Sequence, residues 1–151
     1  MRKHCKRTVR RACAPVLVAL HVESCAGLSE ETALLGLASG WAEARQFDCL
    51  LDCADFLMLA SDIQADKTAQ NMAQLGRMAL GNISDRYRLQ NKFGASGEEL
   101  KALRVMVDFS TDWWSRKSGA LYVKAHAALD QYRDFQEEQR KAREGSHALA
   151  A

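Results

Sequence analysis

Three aspartates, Asp48, Asp52 and Asp55, fall at i, i+4 and i+7, and so share one face of any helix that carries them. Carboxylates grouped in this way could hold a divalent cation or share acid–base work. That chemistry needs a concave site and shifted pKa values, and a ridge turned to solvent offers neither. The trio therefore reads as a solvated face, or as an electrostatic partner for a basic surface such as the chain's own amino-terminal arm. Two further pairs, His21 with Cys25 and Cys49 with Cys53, are spaced four apart, and on helices the four could close around a tetrahedral zinc ion. No C-x-x-C accompanies them, and Cys49-Leu50-Leu51-Asp52-Cys53-Ala54 is an apolar helical surface in which thiols pack as alanine or valine would. No metal and no cofactor is assigned.

Basic chemistry is concentrated at the start. In "MRKHCKRTVRR" the cations form doublets every four positions, Arg2-Lys3, Lys6-Arg7 and Arg10-Arg11, with no acid among them. On a helix they would make one stripe, suited to phosphates or to an acidic protein face. These six are the candidate nucleic-acid contacts. The formal net charge of the whole chain is only +2, so the remainder carries −4. An acidic body does not track phosphates over a broad face, which leaves the arm to bind DNA or RNA if either is bound.

The tandem pair Trp113-Trp114 is the other conspicuous feature. Adjacent helical residues point about 100° apart, so the two rings cannot enter one core together, unless a small bundle buries each against a different neighbour. One of them is expected at or near the surface, and tryptophan there is enriched at interfaces. Trp113, Trp114, Asp48, Asp52 and Asp55 are the candidate partner-binding residues. Catalytic signatures are missing: the sequence has no phosphate-binding glycine loop, no H-E-x-x-H and no G-x-S-x-G. His4, His21, His126 and His147 stand apart from any nucleophile pattern. No catalytic residue is assigned, and a non-enzyme is expected.

The elements that must position these residues are helices. The chain has one proline, Pro15, and is rich in Ala, Leu, Gln, Arg and Glu with few β-branched residues. An all-α bundle of four to five helices is expected, with a basic arm over residues 1–14, a single domain over 15–144 and a frayed tail over 145–151. Ser29 is the expected N-cap of a first helix ending at Gly40, with Leu34, Leu35, Leu37 and Ala38 on its apolar side. A second helix is expected over about residues 43–64, with Phe47, Leu50, Leu51, Ala54, Leu57 and Met58 inward. The third, over about 66–93, turns Met72, Leu75, Ala79, Ile83 and Tyr87 inward, with Gly76 and Gly81 marking a bend or a close crossing. Ser96 and Glu99 spell a capping box for the fourth. "SRKSG" is a turn before a fifth helix on Leu121, Tyr122, Ala125, Leu129 and Tyr132. "ALLGLASGWAEARQF" has glycines near where a helix-turn-helix would turn, but a small turn residue alone does not make the motif, and the aspartate trio after it would face phosphate badly.

The basic head and the following "APVLVALHV" have the outline of an export signal. The apolar run is short, starts at Pro15, is broken by His21 and leads into Glu23. No stretch has the length needed to cross a bilayer, and five irregular cysteines suit a reducing compartment. A cytoplasmic location without membrane contact is expected.

The opening Met1-Arg2-Lys3-His4-Cys5-Lys6-Arg7, with residues 94–97, Leu100, Leu103, Arg104 and residues 118–122, resembles a loose group of short proteins carried on phages, prophages and other mobile elements of proteobacteria. The resemblance lends no activity and no functional residue. It implies a context in which small accessory proteins bind a host or phage protein complex, including defence complexes such as CRISPR–Cas, or regulate transcription. The favoured expectation is an interaction protein, an inhibitor of a host defence among its forms. The alternative is a small DNA-binding regulator that uses the arm.

Overall fold

The computed structural model describes the backbone of residues 29–148 and the side chains of residues 29–141. The basic arm, His21, Cys25 and His147 lie outside the residues whose side chains are described. The chain is all-α, with five helices and no strand among the described residues. No helix among them is long and apolar enough to cross a membrane.

Helix α1 is described over residues 29–39. Ser29 is already helical and is not the N-cap. Ala33, Leu34 and Leu37 enter the core, at the i, i+1, i+4 spacing of a helix face. Leu35 and Ala38, expected on the same side, are exposed because each stands about 100° round from a buried neighbour. Gly40 then takes φ +74°, a left-handed conformation that glycine adopts without strain and that ends the helix. The amides of Trp41 and Ala42 both donate to the Gly36 carbonyl at 3.1 Å.

Helix α2 (Ala44–Gln64) is the central element and packs against α3, α4 and α5. Glu43 caps it through a reciprocal box, its amide donating to Gln46 Oε1 at 3.0 Å. Leu50, Cys53, Ala54, Leu57, Ala60 and Ser61 are buried, and the Ser61 hydroxyl is satisfied by the Met58 carbonyl at 2.7 Å. Phe47, Leu51 and Met58 pack on this core while half-buried.

Helix α3 (Lys67–Gln90) returns after a two-residue turn and is capped by Asp66, whose carboxylate accepts from the amides of Thr68 and Ala69. Its inward face carries mostly small residues, Ala69, Ala73, Gly76 and Ala79, with Leu80 and Ile83. Leu75, expected inward, is exposed, because the buried face is set by the small residues that let α4 approach. At Gly76 an added methyl would overlap the Met106 sulfur and stand 3.0 Å from its Cγ, so this glycine does mark a close crossing. Gly81 faces open space and marks none. The helix stops at Gln90, before the expected Phe93, because Asn91 turns left-handed (φ 51°). Phe93 folds back instead to stack on Tyr87, with ring centroids 4.1 Å apart, and on Phe47 at 5.2 Å.

Helix α4 (Gly97–Ser115) starts at the Ser96–Glu99 capping box, both halves of which are formed. Glu99 also takes the Arg86 guanidinium at 2.5 Å, tying α4 to α3. Leu103, Met106, Val107, Ser110 and Trp113 are buried. After a short turn α5 (Gly119–Ala148) runs for 30 residues, longer than any helix it packs against, and buries Leu121, Ala125 and Leu129. From Arg133 to Lys141 every side chain is exposed, and the helix continues past residue 144, where fraying was expected, to Ala148.

Candidate functional site

An open groove of about 910 Å³ lies between α2, α4 and α5 and is bordered at one end by Ser29 and Glu30 of α1. Its α2 wall follows the i, i+4, i+8 rows of one helix face: Asp48 with Asp52 and Phe56, and Cys49 with Cys53. Val107, Ser110 and Trp114 come from α4; Tyr122, His126, Leu129 and Arg133 come from α5.

Aromatic rings set the shape of this groove. Phe56 stacks on Trp114 with centroids 4.7 Å apart and meets Tyr122 edge-on at 5.1 Å. Trp114 and Tyr122 are edge-to-face at 5.7 Å, and His126 stands 6.3 Å from Phe56. These are the offset and T-shaped arrangements that ring quadrupoles favour. Three helices thus meet through flat, bulky side chains, which hold α5 away from α4 where small residues would have let the backbones close.

The tandem tryptophans separate as the 100° step requires. Trp113 is 3% exposed. Its indole N–H donates to Asp66 Oδ2 at 2.9 Å, and Lys117 Nζ lies 4.2 Å from its ring centroid. That indole bond, with the Ala69 amide, holds the Asp66 carboxyl below the usual carboxylate range. Trp113 presents no surface to a partner, and its place is structural. Trp114 is half-buried and forms part of the groove wall.

The aspartate trio divides as well. Asp48 is exposed at the rim and has no ion pair among the described residues. Asp52 is paired with Arg133 across the groove. Asp55 turns out of it to Arg77 of α3, with Nε to Oδ1 at 3.3 Å, and its side chain is only 14% exposed. Burial pushes the Asp55 carboxyl up, partly opposed by Arg77, and the Oδ1 atom has no hydrogen bond in spite of the ion pair. The expected ridge is therefore not one solvated face, because α3 and α5 flank α2 closely enough to claim its two edges.

The thiols behave as packing groups. Burial pushes Cys53 up to about 12 and also raises Cys49, so neither is an activated thiolate of the kind that metal and redox sites use. No cluster of three or more metal-ligating side chains occurs among the described residues. His21 and Cys25, the other half of the zinc reading, lie outside them, as do Arg2, Lys3, Lys6, Arg7, Arg10 and Arg11. Glu30 is half-buried at the end of the groove, and burial raises its carboxyl. His126 Nδ1 stands 3.3 Å from Asp130 Oδ2, one helical turn along α5.

The groove thus unites Asp48, Asp52 and Trp114 and excludes Asp55 and Trp113. The sequence reading did not single out Phe56, Tyr122, His126 or Arg133. The signal for Phe56 was its i+4 position after Asp52, on the face assigned to charge; Tyr122 and His126 share the same spacing on α5. No family model, no curated protein and no solved structure matches this chain.

Proposed function

We propose that this protein is a binding module and not an enzyme, and that it takes a macromolecular partner in the groove between α2, α4 and α5. The observation that carries this reading is the Phe56–Trp114–Tyr122 cluster, a rigid aromatic floor beside the rim carboxylates Asp48 and Asp52. Aromatic anchors set on packed helices lose little side-chain entropy on binding and dominate interface energetics. An open groove with an aromatic floor and Asp48 on its rim without an ion pair among the described residues suits an amphipathic helix whose apolar face carries a flanking Lys or Arg. The mobile-element resemblance makes a host or phage protein complex, defence assemblies included, the first place to look for it.

The test is capture from a proteobacterial host lysate with nuclease treatment in parallel, followed by titration with the purified partner. Trp114→Ala should weaken the purified pair by about tenfold to a few hundredfold, the range of an interface hot spot, with the far-ultraviolet spectrum unchanged. Equal affinity of Trp114→Ala and wild type would remove the groove from the interface. Recovery of nucleic acid alone, lost when residues 1–11 are deleted, would replace this reading with the DNA-binding regulator.

A further inference from the structure

We infer that, without a partner, the groove is occupied by the chain's own residues 16–22. The inference rests on the reading of the groove as a helix-binding site, and it names the first helix that site receives.

Three observations carry it. The first is chemistry. Residues 16–22, Val-Leu-Val-Ala-Leu-His-Val, contain six apolar side chains in seven. Helical spacing would put Val16, Leu17 and Leu20 on one face, and Pro15 suits the first turn of such a helix. This is an apolar segment of the kind that a floor of Phe56, Trp114, Tyr122 and Leu129 is suited to cover.

The second is connectivity. The groove is bordered by Ser29 and Glu30, the first residues described, so the segment is tethered at the groove's own end. Residues 23–28, which include Gly27, reach at most about 20 Å when extended, enough to fold back and too little to search far. A tether this short gives a local concentration in about the millimolar range, which few free ligands reach.

The third is charge. Residues 1–11 carry six cations beyond the apolar run, while Asp48 at the rim has no ion pair among the described residues and the body of the chain is net negative. The groove lining carries Glu30, Asp48 and Asp52 against Arg45 and Arg133, and docking the apolar run would bring the cation doublets toward Asp48, the carboxylate without an ion pair among the described residues.

The experiment follows Cys49, which lines the groove. Full-length protein and the variant Leu17→Asp/Leu20→Asp are alkylated with a maleimide, and the rate at each cysteine is read by peptide mass spectrometry, with Cys5 as reference. The variant should expose Cys49 and raise its relative rate by about tenfold or more, as expected when a covering segment is released. Equal Cys49 rates would overturn the inference. Should the double variant melt early, Leu20→p-benzoylphenylalanine supplies a second reading. On irradiation it should crosslink within one chain to peptides spanning the groove walls, residues 45–56 or 107–133. Crosslinks elsewhere would overturn the inference, and crosslinks between isotopically distinct copies would assign the groove to a second molecule. Failure here can be told from failure of the binding reading. If Cys49 rates are equal yet Trp114→Ala loses the partner, only self-occupancy falls. If the segment is docked and Trp114→Ala leaves partner affinity unchanged, the segment is a permanent part of the fold and the partner binds elsewhere.

Discussion

Helix α4 meets its neighbours in two different ways. Against α3 it crosses at Gly76, where the missing side chain leaves room for the buried Met106 and nothing more. Against α5 it meets Tyr122 through Trp114, with Phe56 of α2 between them, and the rings leave a groove of about 910 Å³. One helix therefore seals one seam and props the other open, and residue size decides which. Small residues allow close, dry packing that supports stability. Large flat ones hold backbones apart, keep a surface available and give up some burial to do so.

That contrast can be broken at the sealed seam first. Met106→Ala should cost about 2–5 kcal/mol, because the side chain is fully buried over a glycine that cannot fill the void. Gly76→Ala errs in the opposite direction and should cost about 1–3 kcal/mol through overpacking. Denaturant melts of both variants and of their combination would show strong non-additivity, since the new methyl enters the space that Met106 leaves. At the open seam Phe56→Leu should cost less, about 0.5–1.5 kcal/mol, the worth of its ring pairing, since the ring is only half-buried. A cost as large as that of Met106→Ala would mean that the groove is core. Gly81 supplies the control: it is exposed, with open space around it, so Gly81→Ala should stabilise by about 0.5–1 kcal/mol, opposite in sign to Gly76→Ala in the same helix.

The smallest effect is a pH dependence. Asp66 has its folded pKa lowered by the Trp113 indole bond and the Ala69 amide, so its contribution is fully present above the unfolded aspartate value. That contribution is lost as pH falls through the lower folded value. Melts from pH 5 downward should show wild type losing stability faster than Asp66→Asn, which has no carboxylate to protonate. Parallel curves would mean that the cap and the indole bond are worth the same to either side chain.

Much of this architecture was legible from spacing alone. Ser96 and Glu99 announced their capping box because both partners are local, and Gly40 ended α1 because its conformation is a local property. Leu75 was misplaced because apolar periodicity ranks side chains by hydrophobicity, whereas the α3 face is chosen by smallness. The site was half legible. The 100° step separated Trp113 from Trp114 but could not say which was inside; that depended on Asp66, 47 residues away in sequence. Asp48, Asp52 and Asp55 looked equivalent on one helix and were distinguished only by Arg77 and Arg133 on two others.

The carboxylate of Asp66 divides its work, with Oδ1 closing the first turn of α3 and Oδ2 holding the Trp113 indole near the end of α4. That indole proton is consequently a clock for motions of the hairpin. It exchanges with solvent deuterium only when the α2–α3 turn or the last turn of α4 lets go. Its resolved nuclear magnetic resonance line would time those openings separately from global unfolding.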